Sequence, residues 1–293
     1  MDWFDKDWCS LQELISHIAC STGLDAVETP DHLSNLAAKV RSQFPVQNQP
    51  LLELIPVGLL PEARFNAYAI STDEGPAVAI DHLMATVLPA FTAITWGLSF
   101  EDPENPLDFD PRQLIWLACA VHMGDIRPIL QFPCWSIVFD AFRGNRPGFA
   151  PVLRMIDVEL TWILGHEYGH IVSKHLEVGP LPNHELEADR IATDVCWKVF
   201  RPFEHFVWAL ENVFLLFAVL EQFEPTDDLH PPASDRAEAM RQQLLQFPDS
   251  GMFWPLTMKT TREQCKLMTS FNAEAIRQHW IQSSNAGANW WLV

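Results

Sequence analysis

Apolar residues at helical spacing mark most of the legible segments of this chain, and one short stretch alternates instead like a hairpin. Near the N-terminus Leu11, Leu14, Ile15 and Ile18 share a helical face, and Pro30 divides this run from a second helix reaching about residue 43. Asn66-Ala67-Tyr68-Ala69-Ile70, a turn over Ser71 to Pro76, and Ala77-Val78-Ala79-Ile80 read as two short strands. From Leu153 to Leu176 no proline intervenes. Ile156, Leu160, Ile163, Leu164 and Ile171 keep helical spacing there until Gly179-Pro180-Leu181-Pro182 ends the run. Residues 184–200, with Asn183 as N-cap, carry Leu186, Ile191, Val195 and Val199 before Pro202 stops them. Shorter helices are expected over 112–121, 136–142 and 233–247. The pattern predicts an α+β fold that is mostly helical.

Three regions follow from this: an N-terminal helical region (1–60), a core (61–250) interrupted by a proline-rich insertion (99–150), and a C-terminal helix with an aromatic tail (251–293). The insertion opens with the polar loop EDPENPLDFDPR and closes with FRGNRPGFAP, which is expected to help wall a cleft. A flexible run precedes Trp290-Trp291, a pair expected to return onto exposed core, with plugging of the cleft as the alternative.

Two segments invite a membrane reading. Leu83 to Phe100 is uncharged and just long enough to span, but it holds Pro89, Gly97 and threonines and lacks a flanking basic cluster. Phe206 to Leu220 is broken by Glu211 and Asn212. Both are expected as buried helices, with membrane association the disfavoured alternative. Apolar residues make up 48% of the chain, with 12 Trp and 19 Phe, ample for a large core. The net charge of −19 argues against nucleic acid and anionic lipid as partners. Six scattered cysteines with no C-x-x-C pair, and an acidic start without a secretory pattern, point to a reducing, cytoplasmic setting.

The chemistry concentrates in His166-Glu167-Tyr168-Gly169-His170. Histidines four apart on a helix stand about 40° apart around the axis, so both imidazoles can share one metal ion. Composition alone predicts roughly a few hundredths of one such pentapeptide in a chain of this length. The bland alternative, a half-buried helix with two solvated histidines, is therefore the weaker one. A catalytic Zn²⁺ takes three protein ligands and keeps a position for water. Glu185 is the expected third ligand, and Glu167 the general base beside the water. Asp189, on the same face as Glu185, is placed to accept a hydrogen bond from the far nitrogen of a ligand histidine. Glu187 and Glu177 are the fallback ligands. Glu187 is otherwise expected as a solvated acid, His175 and His184 as surface histidines, and Tyr168 as facing away from the metal.

These residues resemble the gluzincin metallopeptidases of the CAAX-prenyl-endopeptidase and HtpX type. Four blocks carry the resemblance: Asn66-Ala67-Tyr68-Ala69 with the helix after it, His166 to His170, Glu185 to Asp189 as an E-x-x-A-D block, and His230-Pro231 with Arg236 downstream. It implies a minimal zincin-type core whose edge-strand hairpin packs on the metal helix. It implies that Asn66 to Ala69 bind an extended peptide as an added strand, that His230 steadies an oxyanion, with Tyr68 in reserve, and that Arg236 pairs with a site carboxylate. The chain departs from the family in its long insertion and in the short spacer before Glu185, and many of the family's members are integral membrane proteins. The function expected is that of a zinc endopeptidase acting on a polypeptide. The alternatives are a non-catalytic metal-binding regulator or toxin–antitoxin component, and a dedicated host-targeting peptidase of the abortive-infection type.

Overall fold

Residues 158–169 are buried without a break, which a helix with one face to solvent cannot be. They form the middle of the helix that carries the paired histidines, and the rest of the structure is laid around it. The computed structural model describes residues 29–60, 66–81, 84, 88, 92, 150–179, 181–200, 206–221 and 230–247. Its elements are α1 (Thr29–Ser42), α2 (Gln49–Glu53), β1 (Val57–Leu60), β2 (Ala67–Thr72), β3 (Gly75–Asp81), α3 (Ala150–Val172), α4 (His175–Val178), α5 (Pro182–Phe200), α6 (Phe206–Leu220) and α7 (Ala233–Leu244). Among the described residues the fold is α+β, mostly helical, with one three-stranded mixed sheet.

The contact of α3 with α5 sets the geometry. Gly165 and Gly169 stand four apart on α3 and face Ala192 and Ala188 on α5. A Cβ at Gly165 would lie 3.0 Å from the Ala192 Cα, and one at Gly169 3.1 Å from the Ala188 Cα. Small residues on both sides let the two backbones nearly touch, so short side chains can meet across the gap. Trp162 closes the next turn: its Nε1 donates to Thr193 Oγ1 on α5 at 3.1 Å, and its ring meets Phe214 of α6 edge-on at 5.3 Å. On the far side Tyr168 packs edge-on against Phe44, just past α1, at 6.1 Å. Its ring thus faces away from the paired histidines.

The strand order is β1-β3-β2, with β1 parallel and β2 antiparallel to β3. Pairing runs from Ala67 opposite Ile80 to Thr72 opposite Gly75, so the hairpin turns on Asp73 and Glu74 alone, tighter than the turn expected over 71–76. The Thr72 hydroxyl makes this possible by donating to Gly75 O at 2.7 Å and accepting from Glu74 N at 3.2 Å. Strand β1 lies inside a region expected to be helical. Its four residues, Val57-Gly58-Leu59-Leu60, are too few for sequence periodicity to tell strand from helix.

Two helix ends also differ from expectation. The metal-motif helix stops at Val172, not Leu176: Lys174 turns left-handed (φ 60°) and α4 starts anew at His175. Helix α5 begins at Pro182, where a missing N–H costs nothing, so Asn183 lies inside the first turn and is not its cap. Among the described residues no helix is long and apolar enough to cross a membrane. Leu11 to Ile18, nearly all of the 99–150 insertion, the C-terminal tail and every cysteine except Cys196 lie outside the described residues. So does most of 83–100, although Met84, Leu88 and Thr92 are helical and buried.

Thr92 reaches a fully buried carboxyl on α3. Its Oγ1 is 2.9 Å from Leu88 O and 2.6 Å from Glu159 Oε2, while Asn212 Nδ2 donates to Glu159 Oε1 at 3.3 Å. A hydroxyl has one hydrogen; if Leu88 receives it, the Glu159 contact requires a proton on the carboxyl. Burial pushes Glu159 up to about 8, against the opposing hydrogen bonds of Thr92 and Asn212.

Two outcomes follow from this packing. The folded state holds the Glu159 proton more tightly than the unfolded chain, so its contribution to stability falls as pH rises from about 4.5 to about 8. Glu159→Gln should remove that decline and melt no lower than the parent at pH 8; a markedly lower melting temperature there would contradict the neutral carboxyl. Gly165→Ala should force α3 and α5 apart and cost about 1–3 kcal/mol in chemical denaturation. Parental stability would show that the approach of these backbones is not limiting.

Candidate metal centre

Two imidazoles and a carboxylate converge where α3 faces the first turn of α5. The Nε2 atoms of His166 and His170 are 3.0 Å apart. Glu185 places Oε2 3.4 Å from the first ring and Oε1 3.4 Å from the second. One donor atom from each of the three lies within 4.8 Å of the others, a buried cluster that could hold a metal ion.

The surroundings aim these donors inward. His166 Nδ1 is 2.9 Å from Asp189 Oδ1, and a carboxylate only accepts, so the hydrogen sits on Nδ1 and the Nε2 lone pair points to the centre. Asp189 in turn receives a fork from Arg236: Nε donates to Oδ2 and Nη2 to Oδ1, both at 2.7 Å. The same guanidinium is 3.7 Å from Glu185 Oε2 and 4.8 Å above the Phe217 ring. Arg236 is thus anchored to two acidic groups of the site, from the first turn of α7.

Charge in this site is balanced around a cation. Burial pushes the His166 imidazole down, but Asp189, Glu185 and the Glu167 charge outweigh it and raise its pKa to about 10. Burial and the adjacent His166 charge lower His170 to about 4. Glu185 is held well below the usual carboxylate range: burial raises it, and His166, Arg236 and His170 more than reverse that. Asp189 is depressed in the same way, burial being overcome chiefly by Arg236. Two lone pairs 3.0 Å apart repel unless positive charge lies between them. A proton supplies that charge at neutral pH, and a divalent ion held by the same three atoms would supply it better. The donor set fits such an ion.

Glu167 stands beside this cluster and lines the same cleft as β2. Asp81 N donates to Asn66 O at 2.9 Å, so Asn66, Tyr68 and Ile70 direct their backbone groups at β3, while Ala67 and Ala69 direct theirs to the opposite edge. The Ala69 backbone amide favours the ionised form of the Glu167 carboxylate. Burial raises Glu167 to about 7; the Glu185 charge adds to the rise, and His166, Ala69 and Arg236 oppose it.

A cleft of about 520 Å³ opens over the cluster, bordered by Asn66 to Ala69 on one side and by Phe217, Glu221, His230 and Pro231 on another. His230 is exposed on this wall. Its loop is fixed from beneath: Pro232, at the N-cap position of α7, has no capping side chain, and Glu221 accepts the Ala233 N–H instead.

His175 and His184 are not surface residues. Both are buried, with rings parallel within 1° and centroids 3.9 Å apart, and the Nδ1 of His175 is 2.9 Å from that of His170. Five positions along an unbroken helix would have turned His175 about 140° away from His170; the left-handed Lys174 brings it back. Glu187 is exposed, as expected of a solvated acid, yet it also meets Ser173 Oγ at 3.1 Å and His175 Nε2 at 3.4 Å. Its side chain is absent from the converging donor set, as is that of Glu177. Sequence spacing also gave no signal for Glu221 or for Trp162, which stacks on the His166 ring at 5.4 Å.

Comparison of the chain with protein-family models, curated proteins and solved structures finds no match.

A metal ion entering at pH 7 must displace the proton held on His166. Zinc affinity should therefore strengthen as pH rises from 6 towards 9, with about one proton released per ion in calorimetry across buffers of different ionisation enthalpy. Affinity independent of pH would contradict the charge balance described above.

Proposed function

We propose that this chain is a zinc-dependent endopeptidase of zincin type, of the kind that the gluzincin-like motifs imply, acting on polypeptide in the cytoplasm. The observation that carries this reading is a buried carboxylate, Glu167, set beside His166, His170 and Glu185 and opening to a cleft with a strand on its rim. A zinc ion held by those three residues would acidify a bound water and polarise a carbonyl oxygen.

The chain's own groups supply the remainder. Glu167, raised to about 7, is suited to take a proton at its carboxylate and hand it to a departing amine, since a base works best with a pKa near the operating pH. The Ala69 amide favours that carboxylate's ionised form. Arg236 keeps Asp189 ionised, and Asp189 holds the His166 tautomer. His230 and Tyr68, both on the cleft wall, are the groups to stabilise negative charge on a substrate oxygen.

An extended peptide would lie along β2. The outward N–H of Ala67 is already taken by Asn66 Oδ1 at 2.9 Å, and that of Ala69 lies by Glu167. Binding would therefore use chiefly the carbonyl groups of this edge. A purely structural ion has little use for a buried base and closes its fourth position with protein; the cleft and Glu167 favour turnover over the regulator reading.

Glu167→Gln should keep stoichiometric zinc while cleavage of an unstructured casein-like substrate falls at least about 100-fold. His166→Ala should lose both. Because the base works ionised, kcat/KM should fall as pH drops, with an acid limb at or below about 7, the positive ion moving Glu167 downward from its metal-free value. Full cleavage by zinc-loaded Glu167→Gln would remove the assignment.

A further inference from the structure

The second histidine of the motif has a partner that no spacing rule foresees. His170 Nδ1 and His175 Nδ1 are 2.9 Å apart, and His175 Nε2 is 3.4 Å from Glu187 Oε2. The other Glu187 oxygen accepts from Ser173 Oγ at 3.1 Å. What makes these contacts is the break after α3. Lys174 adopts φ 60°, ψ 29°, a region that residues with a Cβ enter seldom, and the reversal returns the His175 ring to His170. Burial (6% exposed) and the parallel His184 ring then hold it there.

Only one hydrogen can lie between two nitrogens at 2.9 Å. A histidine that offers Nε2 to a metal ion carries its hydrogen on Nδ1, so His170 is the donor and His175 Nδ1 the acceptor. The hydrogen of neutral His175 is then on Nε2, facing the acceptor-only carboxylate of Glu187. Both contacts agree on one set of tautomers.

We infer that His175 and Glu187 are positioning residues of the metal centre, a relay from carboxylate through imidazole to His170 that aims its Nε2 at the ion. The inference rests on the metal-binding reading above. It gives the two ligand histidines different supports: an ionised Asp189 fixed by Arg236 behind His166, and a neutral imidazole fixed by Glu187 behind His170. Lost partners of this type typically weaken metal affinity about 10–100-fold.

The test uses full-length protein and two readouts besides turnover: zinc affinity by competition with a chromophoric chelator, and the visible absorption of the Co²⁺-loaded form. His175→Phe keeps a ring to stack on His184 but removes the acceptor; it should weaken zinc binding about 10–100-fold and shift the Co²⁺ bands. His175→Asn puts Oδ1 where Nδ1 was and should recover most of the affinity. Glu187→Ala, at a half-exposed position that tolerates truncation, should weaken binding several-fold. Parental affinity and spectrum in His175→Phe or in Glu187→Ala would overturn the relay and leave the metal site standing. Equal losses in His175→Phe and His175→Asn would overturn it too, by showing that packing and not the acceptor matters. A parent protein that takes up no zinc or cobalt would remove the metal reading together with the relay.

Discussion

The near-contact of the α3 and α5 backbones at Gly165, Gly169, Ala188 and Ala192 is the constraint from which the site follows. Glu185 and Asp189 have short side chains, and His166 and His170 project from the turns flanking those glycines. Move the axes apart by the width of one methyl group, and neither the 3.4 Å approach of Glu185 to both rings nor the 2.9 Å bond from His166 to Asp189 survives. The glycine within the motif and the alanine between Glu185 and Asp189 therefore act together: one empties the space that the other's backbone fills. Helix packing at a wider separation would carry the Glu185 and Asp189 carboxylates out of reach of the two rings.

That closeness concentrates charge where water is scarce. Glu159, Glu167, His166, Asp189 and Arg236 are all buried, and each needs a partner or a proton to stay there. The solutions differ by position. Glu159, far along α3 from the cluster, is raised to about 8 among Thr92 and Asn212. Asp189 is ionised because Arg236 forks onto it. Glu167 lies between, near 7, close enough to the cationic cluster to ionise and buried enough to be reprotonated. Three carboxyl groups in one core thus occupy three protonation regimes, ordered by how near each lies to Arg236 and the histidines.

The sequence disclosed the centre better than its surroundings. His166, His170 and Glu185 could be placed together because a helix converts a spacing of four into a shared face, and Asp189 followed from Glu185 by the same geometry. The hairpin showed in the alternation of Asn66 to Ile70 and Ala77 to Ile80. What stayed hidden depends on a departure from regular structure or on a distant pairing. His175 was placed on the surface because helical spacing cannot foresee a left-handed Lys174. Strand β1 was missed because four residues carry no readable period, and it acquires its character from β3. The role of Glu221 at the start of α7 joins residues whose proximity only the fold creates. Local rules read what one element dictates; they are silent where two elements meet.

The closeness of the Ala69 amide to Glu167 shows what such a meeting can do. Strand β2 presents alternate backbone groups to β3 and to the cleft, so the amide beside Glu167 and the carbonyls that, on the peptidase reading, would receive a peptide belong to the same few residues. On that reading, a peptide aligned along Ala67 to Ala69 would thereby be aligned to Glu167. Proximity effects in catalysis depend on such shared reference points, because a displacement of about 1 Å between reacting groups can cost about 100-fold in rate. On the peptidase reading, the small sheet is the ruler against which substrate and base are both measured, and its register on β3 matters as much as the ligands on the helices.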